Sequence, residues 1–159
     1  MTWRRAAVLL GVLLAAWVAN GLHTRSRRAA RPAPPPGEMR GAWHVHTTRS
    51  DGRGDVAEVV RAAREAGLQF VVLADHNVLA PEDAGWRDGV LVVPATEISA
   101  PYGHVVGVGL PRELTKEERQ KDALGTVAAL GGQSVLAHPF HPGRPFTRWS
   151  RDDWAGMEV

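Results

Sequence analysis

The most chemically loaded stretch of the chain is His44-Val45-His46-Thr47-Thr48-Arg49-Ser50-Asp51-Gly52. In an extended strand alternate side chains point the same way, so His44 and His46 share one face. Ser50-Asp51-Gly52 reads as a turn that brings a carboxylate back toward them. Two imidazoles and a carboxylate converging at a strand end make the start of a metal site with nitrogen and oxygen donors. Further islands of the same type follow: Asp75-His76, Glu97, His104 and His138-Pro139. The chain has no cysteine, which excludes disulfides, thiolate metal sites and cysteine nucleophiles.

Positioning these residues requires elements that end where they stand. Gly41 to Thr47 reads as a first short strand. Asp55 and Glu58 then form a capping-box-like start to a helix, with Val59, Val60, Ala63 and Ala66 at helical spacing and Gly67 as its stop. Gln69 to Ala74 is a continuous apolar run, as expected of a strand buried on both faces. Val90 to Thr96 is another, with Pro94 expected at a bulge or bend. His104 to Leu110 reads as a further strand. Thr115 to Glu118 caps a second helix reaching about Leu130, weakened in its middle by Gly125. Gln133 to Ala137 is the next strand, and Met157 to Val159 opens another. Strands alternating with helices imply an α/β fold with a largely parallel sheet.

On that map His44 and His46 end the first strand, Asp75 and His76 the second, Glu97 the third, and His138 follows Gln133–Ala137. Functional groups of parallel α/β sheets gather at those carboxyl ends. His104 stands at the start of its strand and not at its end, but a turn at Ala100-Pro101-Tyr102-Gly103 would bring it back beside Glu97 as a hairpin. Taken singly, each island has an ordinary structural explanation: a strand-end histidine is commonly a hydrogen-bonded cap, and Asp-His serves as a turn. Together, five of the seven histidines fall at element ends that one sheet would bring together, and coincidence is a poor explanation.

Charge is unevenly placed. Residues 1–31 carry six arginines and no acid, whereas from Arg40 onward 13 basic residues face 16 acidic ones. The body is therefore mildly acidic, and no nucleic-acid partner is expected. Arg4 and Arg5 precede an uncharged apolar run from Ala6 to Leu22, so residues 1–24 read as a signal-anchor or transmembrane segment. A cleaved export signal is the alternative. Arg25, Arg27, Arg28 and Arg31 follow it and favour a cytoplasmic body if the anchor is retained, while cleavage would deliver the body outside; the side stays open. Residues 25–38 are a basic, then proline-rich, extended linker, and 39–159 form the folded body.

The islands HVHTTRSDG, LADHN, the glutamate of ATEIS, the histidine of GHVVGVG and AHP, in this order, resemble the motifs of the PHP (polymerase and histidinol phosphatase) domain superfamily. The resemblance runs from about Arg40 to the last residues. With the N-terminal segment, it extends to the membrane-anchored or exported branch of CehA/McbA-type metallohydrolases. It implies a distorted (β/α)7 TIM-like barrel binding two or three divalent metals (zinc, manganese or iron). It further implies hydrolysis of a small-molecule phosphate ester. Carbamate or carboxylic ester hydrolysis on the same site is the alternative.

Carried over position by position, the resemblance makes His44 and His46 ligands of one metal. It assigns Asp51 and His76 to a second, Glu97 to a bridge, and His104 and His138 to a third. Asp75 takes a supporting catalytic role, accepting the second N–H of an imidazole. In the loop after AHP, Arg144 would clamp a phosphate and His141 would protonate a leaving group. The family pattern also includes a late Asp-x-His island. None occurs after His138, so the resemblance covers the N-terminal portion of the domain and implies an incomplete barrel. A truncated metal-binding remnant without turnover is the non-enzymatic alternative.

Overall fold

Capping signals and apolar runs become elements much where their chemistry puts them. The structure is a computed structural model that describes residues 10–20 and 34–159. It divides into two compact units, one ending at Glu38 and the other running from Met39 to Val159. In the first, residues 10–20 are helical. The rest of the expected 1–24 anchor, and residues 25–33 of the linker, lie outside the described residues. No helix among the described residues is long and apolar enough to cross a membrane.

The second unit opens with β1 (Gly41–Val45), α1 (Val56–Glu65) and β2 (Phe70–His76). Asp55 caps α1 through the anticipated box: its carboxylate accepts from Glu58 N at 2.8 Å, and Glu58 Oε2 accepts from Asp55 N at 3.0 Å. A short β3 (Gly85–Arg87) leads into the long β4 (Val90–Ala100) and β5 (Gly103–Val108). Then come α2 (Lys116–Ala129), β6 (Gln133–Ala137) and β7 (Gly156–Met157). The interruption in α2 falls at Asp122 (φ −160°, ψ 83°), three residues before the glycine expected to weaken it. Asp122 Oδ1 accepts from Gly125 N at 3.2 Å and so restarts the helix. A Cβ at Gly125 would lie 2.3 Å from Asp122 Oδ2, which explains the glycine.

The strands form one curled sheet in the order β1-β2-β4-β5-β6-β7, with β3 attached to β4. Pairs β1/β2, β2/β4 and β6/β7 are parallel, whereas β3/β4, β4/β5 and β5/β6 are antiparallel. The sheet is therefore mixed, not largely parallel. The hairpin that pairs Ala100 with Gly103 reverses β5 against β4, and a second hairpin between Arg87 and Val90 adds β3. The reversals on either side of β5 cancel, so β1, β2, β4 and β6 still point their carboxyl ends the same way. This is the architecture of part of a TIM-like barrel.

Pro94 does not bend β4: it sits in unbroken register opposite Leu73. On the other side of β4, β3 reaches only as far as Val92 and β5 begins at Ala95. Pro94 thus falls in the gap, where no ladder needs its missing N–H.

Strand alternation separates the two faces. Val71, Leu73, Val90 and Val92 pack against Val60 and Ala63 of α1. Ile98, Val105 and Leu136 pack against Ala123, Leu124 and Val127 of α2. The inner face carries Val72, Ala74, Ala95, Val106 and Ala137, a layer of small residues beneath the polar cluster described next.

Candidate metal centre

The same alternation that puts Val72, Ala74 and Ala95 on the inner face continues to His76 and Glu97, which pair directly across β2 and β4. It likewise links Val106 to His104, one residue into β5. Two histidines do not follow from alternation. His44 has φ 57° and His138 φ 30°, both left-handed. In β1, Ala42 pairs with Val71 but Val45 with Leu73, so β1 holds one extra residue there. A bulge, and not pleating, thus turns His44 inward, and His46 lies beyond the strand. The imidazoles nevertheless stack, with ring centroids 5.0 Å apart. Asn77, next to His76, is also left-handed at φ 56°. Each such backbone costs about 1–3 kcal/mol, and their clustering here marks a site in which geometry outranks local stability.

All five imidazoles meet at Glu97, which is 1% exposed. Its Oε2 lies 3.1 Å from His44 Nε2, 3.1 Å from His46 Nε2 and 3.0 Å from His76 Nδ1. Its Oε1 lies 2.6 Å from His104 Nδ1 and 2.8 Å from His138 Nε2. Burial alone would raise the Glu97 pKa, but the bonds from His104, His44 and His138 outweigh it and hold the carboxyl far below its ordinary range. Burial lowers the His44 pKa and Glu97 and Glu158 raise it; the carboxylates prevail. For His76 burial prevails and the pKa falls.

Asp51, 68% exposed on its side chain, stands at the mouth. Its Oδ1 is 2.5 Å from His46 Nδ1 and its Oδ2 3.6 Å from His76 Nε2. The bond to His46 depresses its pKa. Gly52 beside it has no room for a side chain: a Cβ would lie 2.2 Å from the His46 carbonyl oxygen. The tight turn expected of Ser50-Asp51-Gly52 is the device that folds this carboxylate back over the histidines.

Asp75 differs from its expected role. Among the described residues its carboxylate bonds no imidazole. Its buried carboxylate accepts from Thr47 N at 2.8 Å, Thr47 Oγ1 at 2.7 Å and Ser50 Oγ at 2.6 Å. It therefore holds the loop that follows His46, and with it Asp51. Asp75→Ala strands three donors, two of them on a buried threonine. It is expected to destabilise the fold by about 3 kcal/mol, read as a lower denaturant midpoint at unchanged slope.

Around the cluster opens a cavity of about 750 Å³, whose wall includes Trp43, His141, Arg144 and Glu158. Arg144 Nη1 is 3.3 Å from His104 Nε2, and the guanidinium has no carboxylate partner among the described residues. Since His104 Nδ1 faces the ionised Glu97, both of its nitrogens are engaged. Arg144 must withdraw if His104 is to ligate through Nε2. His141 accepts from Gly143 N at 3.2 Å, and its ring lies 5.7 Å from that of His138. Glu158 was not singled out by the sequence, although it follows a strand end as the other functional residues do. Its Oε1 is 2.7 Å from His44 Nδ1 and accepts from Trp43 Nε1 at 2.8 Å. Its Oε2 accepts from His138 N at 2.8 Å.

The donor set fits a divalent cation on grounds internal to the cluster. Three imidazole nitrogens crowd one oxygen of Glu97, and a carboxylate oxygen has two lone pairs to offer. His44 and His46 each turn the other nitrogen toward a second carboxylate, Glu158 and Asp51, and an imidazole with its proton on that side would aim a lone pair at Oε2. Acceptor then faces acceptor, an arrangement a cation relieves. His76 Nδ1 is buried without an aligned hydrogen-bond partner despite its closeness to Oε2, as is His138 Nδ1. Three groupings bring one ligand atom per residue within 4.8 Å: His44/His46/Glu97, His46/Asp51/His76 and His76/Glu97/His104. All donors are nitrogen or oxygen, a set suited to zinc, manganese or iron.

No protein-family model matches the chain, and no curated protein matches it in sequence. Solved structures do match in fold. One is a two-domain protein of Bacteroides vulgatus containing a predicted PHP-like metal-dependent phosphoesterase, at 22% identity and TM-score 0.52. The match covers 67% of this chain and 36% of that one, so the chain spans about a third of that protein's length. Another is a candidate metal-dependent phosphoesterase of Bifidobacterium adolescentis, at 18% identity and TM-score 0.55, covering 79% of this chain and 78% of that one. At these identities the likeness establishes a shared fold.

Proposed function

We propose that the body of this chain is a metal-dependent hydrolase acting on small-molecule phosphate esters. The observation that carries the reading is the convergence of five imidazoles on the two oxygens of one buried carboxylate, in a fold shared with PHP-like phosphoesterases. His44, His46, Asp51, His76, Glu97, His104 and His138 would hold two or three divalent ions, with Glu97 between them. Bound divalent ions lower the pKa of water and neutralise the charge of a phosphate ester. The chain's own residues do the rest. Arg144 offers a phosphate oxygen a guanidinium that no carboxylate among the described residues holds. His141, exposed at the rim, is placed to protonate a leaving oxygen. Asp75 fixes the Thr47–Ser50 loop that carries Asp51 over the cluster.

Elemental analysis of the full chain, purified without a histidine tag and dialysed against zinc or manganese, tests the reading. About two or three ions per chain are expected, lost in His44→Ala/His46→Ala. A folded wild-type chain holding none would overturn it. Release of phosphate from aryl and alkyl phosphate monoesters by the loaded chain then tests the reaction itself.

A further inference from the structure

Glu158 lies beyond β7, at the opposite end of the sheet from β1, yet it hydrogen-bonds two consecutive β1 residues. Oε1 is occupied by Trp43 Nε1 and His44 Nδ1, and Oε2 accepts the backbone N–H of His138. The oxygen that faces His44 thus has both lone pairs in use. It dictates where the His44 proton sits. A neutral imidazole carries one N–H, and two carboxylates compete for it: Glu158 at Nδ1, 2.7 Å away, and Glu97 at Nε2, 3.1 Å away. If Glu97 wins, the proton occupies the nitrogen that faces the cluster and blocks it. If Glu158 wins, the Nε2 lone pair is free.

We propose that Glu158 is the positioning residue that holds the His44 proton on Nδ1, keeping Nε2 open as a ligand. The same carboxylate, through His138 N and Trp43 Nε1, ties the end of β7 to the two left-handed histidines that strand pleating does not place. This inference rests on the metal-centre reading, but its first readout needs no metal. In the full metal-free chain, labelled with ¹⁵N at histidine and brought to a pH at which the same spectra show His44 with a single N–H, long-range ¹H–¹⁵N spectra report which ring nitrogen carries the proton. His44 is expected to be protonated on Nδ1 in the wild type and on Nε2 in Glu158→Ala.

The second readout is zinc affinity by competition with a chelating dye. Glu158→Ala is expected to bind about 10- to 100-fold more weakly, the usual effect of losing a ligand's carboxylate partner. Glu158→Gln, with its amide oxygen on His44 Nδ1 and Trp43 Nε1, gives up only the bond from His138 N, and is expected to retain the wild-type tautomer and lose less than about tenfold, which separates the proton-holding role from loss of the β7 contact. Far-UV circular dichroism confirms that each variant is folded. An unchanged His44 tautomer in folded Glu158→Ala overturns the proposal, whatever happens to affinity. A tautomer switch in a chain whose wild type binds no zinc upholds the proposal for His44 while the metal reading fails.

Discussion

Glu97→Ala is expected to abolish metal binding and, with it, at least about a thousandfold of phosphomonoester hydrolysis. No other residue touches every imidazole of the cluster, and none replaces it: Asp51 is exposed at the mouth and Glu158 is committed to Trp43, His44 and His138. Retained metal at wild-type stoichiometry in Glu97→Ala would remove Glu97 from the centre. The isosteric Glu97→Gln separates charge from shape and has a signature in the metal-free chain. The folded carboxyl has a pKa held far below its ordinary value of 4.5. A depressed carboxylate contributes stability that is fully present above the unfolded pKa and is lost as pH falls through the folded one. The wild type should therefore lose thermal stability on acidification below about pH 4.5 more steeply than Glu97→Gln. Parallel profiles would show that the carboxylate is not linked to folding.

Arg144→Ala is expected to lower kcat/KM on a phosphate monoester about 100-fold, the worth of a charge-assisted hydrogen bond to an anionic oxygen. On a neutral carboxylic ester the same variant is expected to stay within about threefold of wild type, because there is no anion for the guanidinium to hold. The comparison also separates the two substrate classes. An equal loss on both esters would assign Arg144 to support of His104, which it touches at 3.3 Å, and not to substrate. Arg144→Lys should recover only part of the loss, since an ammonium cannot present two parallel donors.

Much of this arrangement is legible in the residues themselves. Both capping boxes (in the second, Thr115 Oγ1 accepts from Glu118 N and Glu118 Oε2 from Thr115 N), the extent of β6 and the hairpin that returns His104 to Glu97 follow from local chemistry acting within a few residues. The remainder depends on partners far away in the chain, with one local exception. Asp88-Gly89, both with positive φ, join Arg87 to Val90 as a two-residue hairpin, which made β3 readable from an Asp-Gly pair. His44 and His46 do converge, but the reason lies in a bulge that only the pairing of β1 with β2 creates. Pro94 looked disruptive because its neighbours were unknown; it is harmless where β3 has ended and β5 has not begun. Asp75 stands beside a histidine in sequence yet serves a loop 25–28 residues earlier, and Glu158 serves a strand 114–115 residues earlier. Charge and strand position reveal that such acids are functional candidates, but topology decides which groups they serve.

The histidines around Glu97 are spread from position 44 to position 138, and they come together only when the strands between β1 and β6 have all paired. Loops of this length close late in folding, after local helices and hairpins have formed. A cation selective for the assembled cluster therefore meets a nearly native chain and acts as a thermodynamic latch. At a free concentration a hundred times its dissociation constant it adds about 2.7 kcal/mol to stability, a sizeable part of what an ordinary domain possesses. The strain stored in His44, Asn77 and His138 is of the same order. Ion supply, and not only sequence, would then set what fraction of these molecules is folded in a cell.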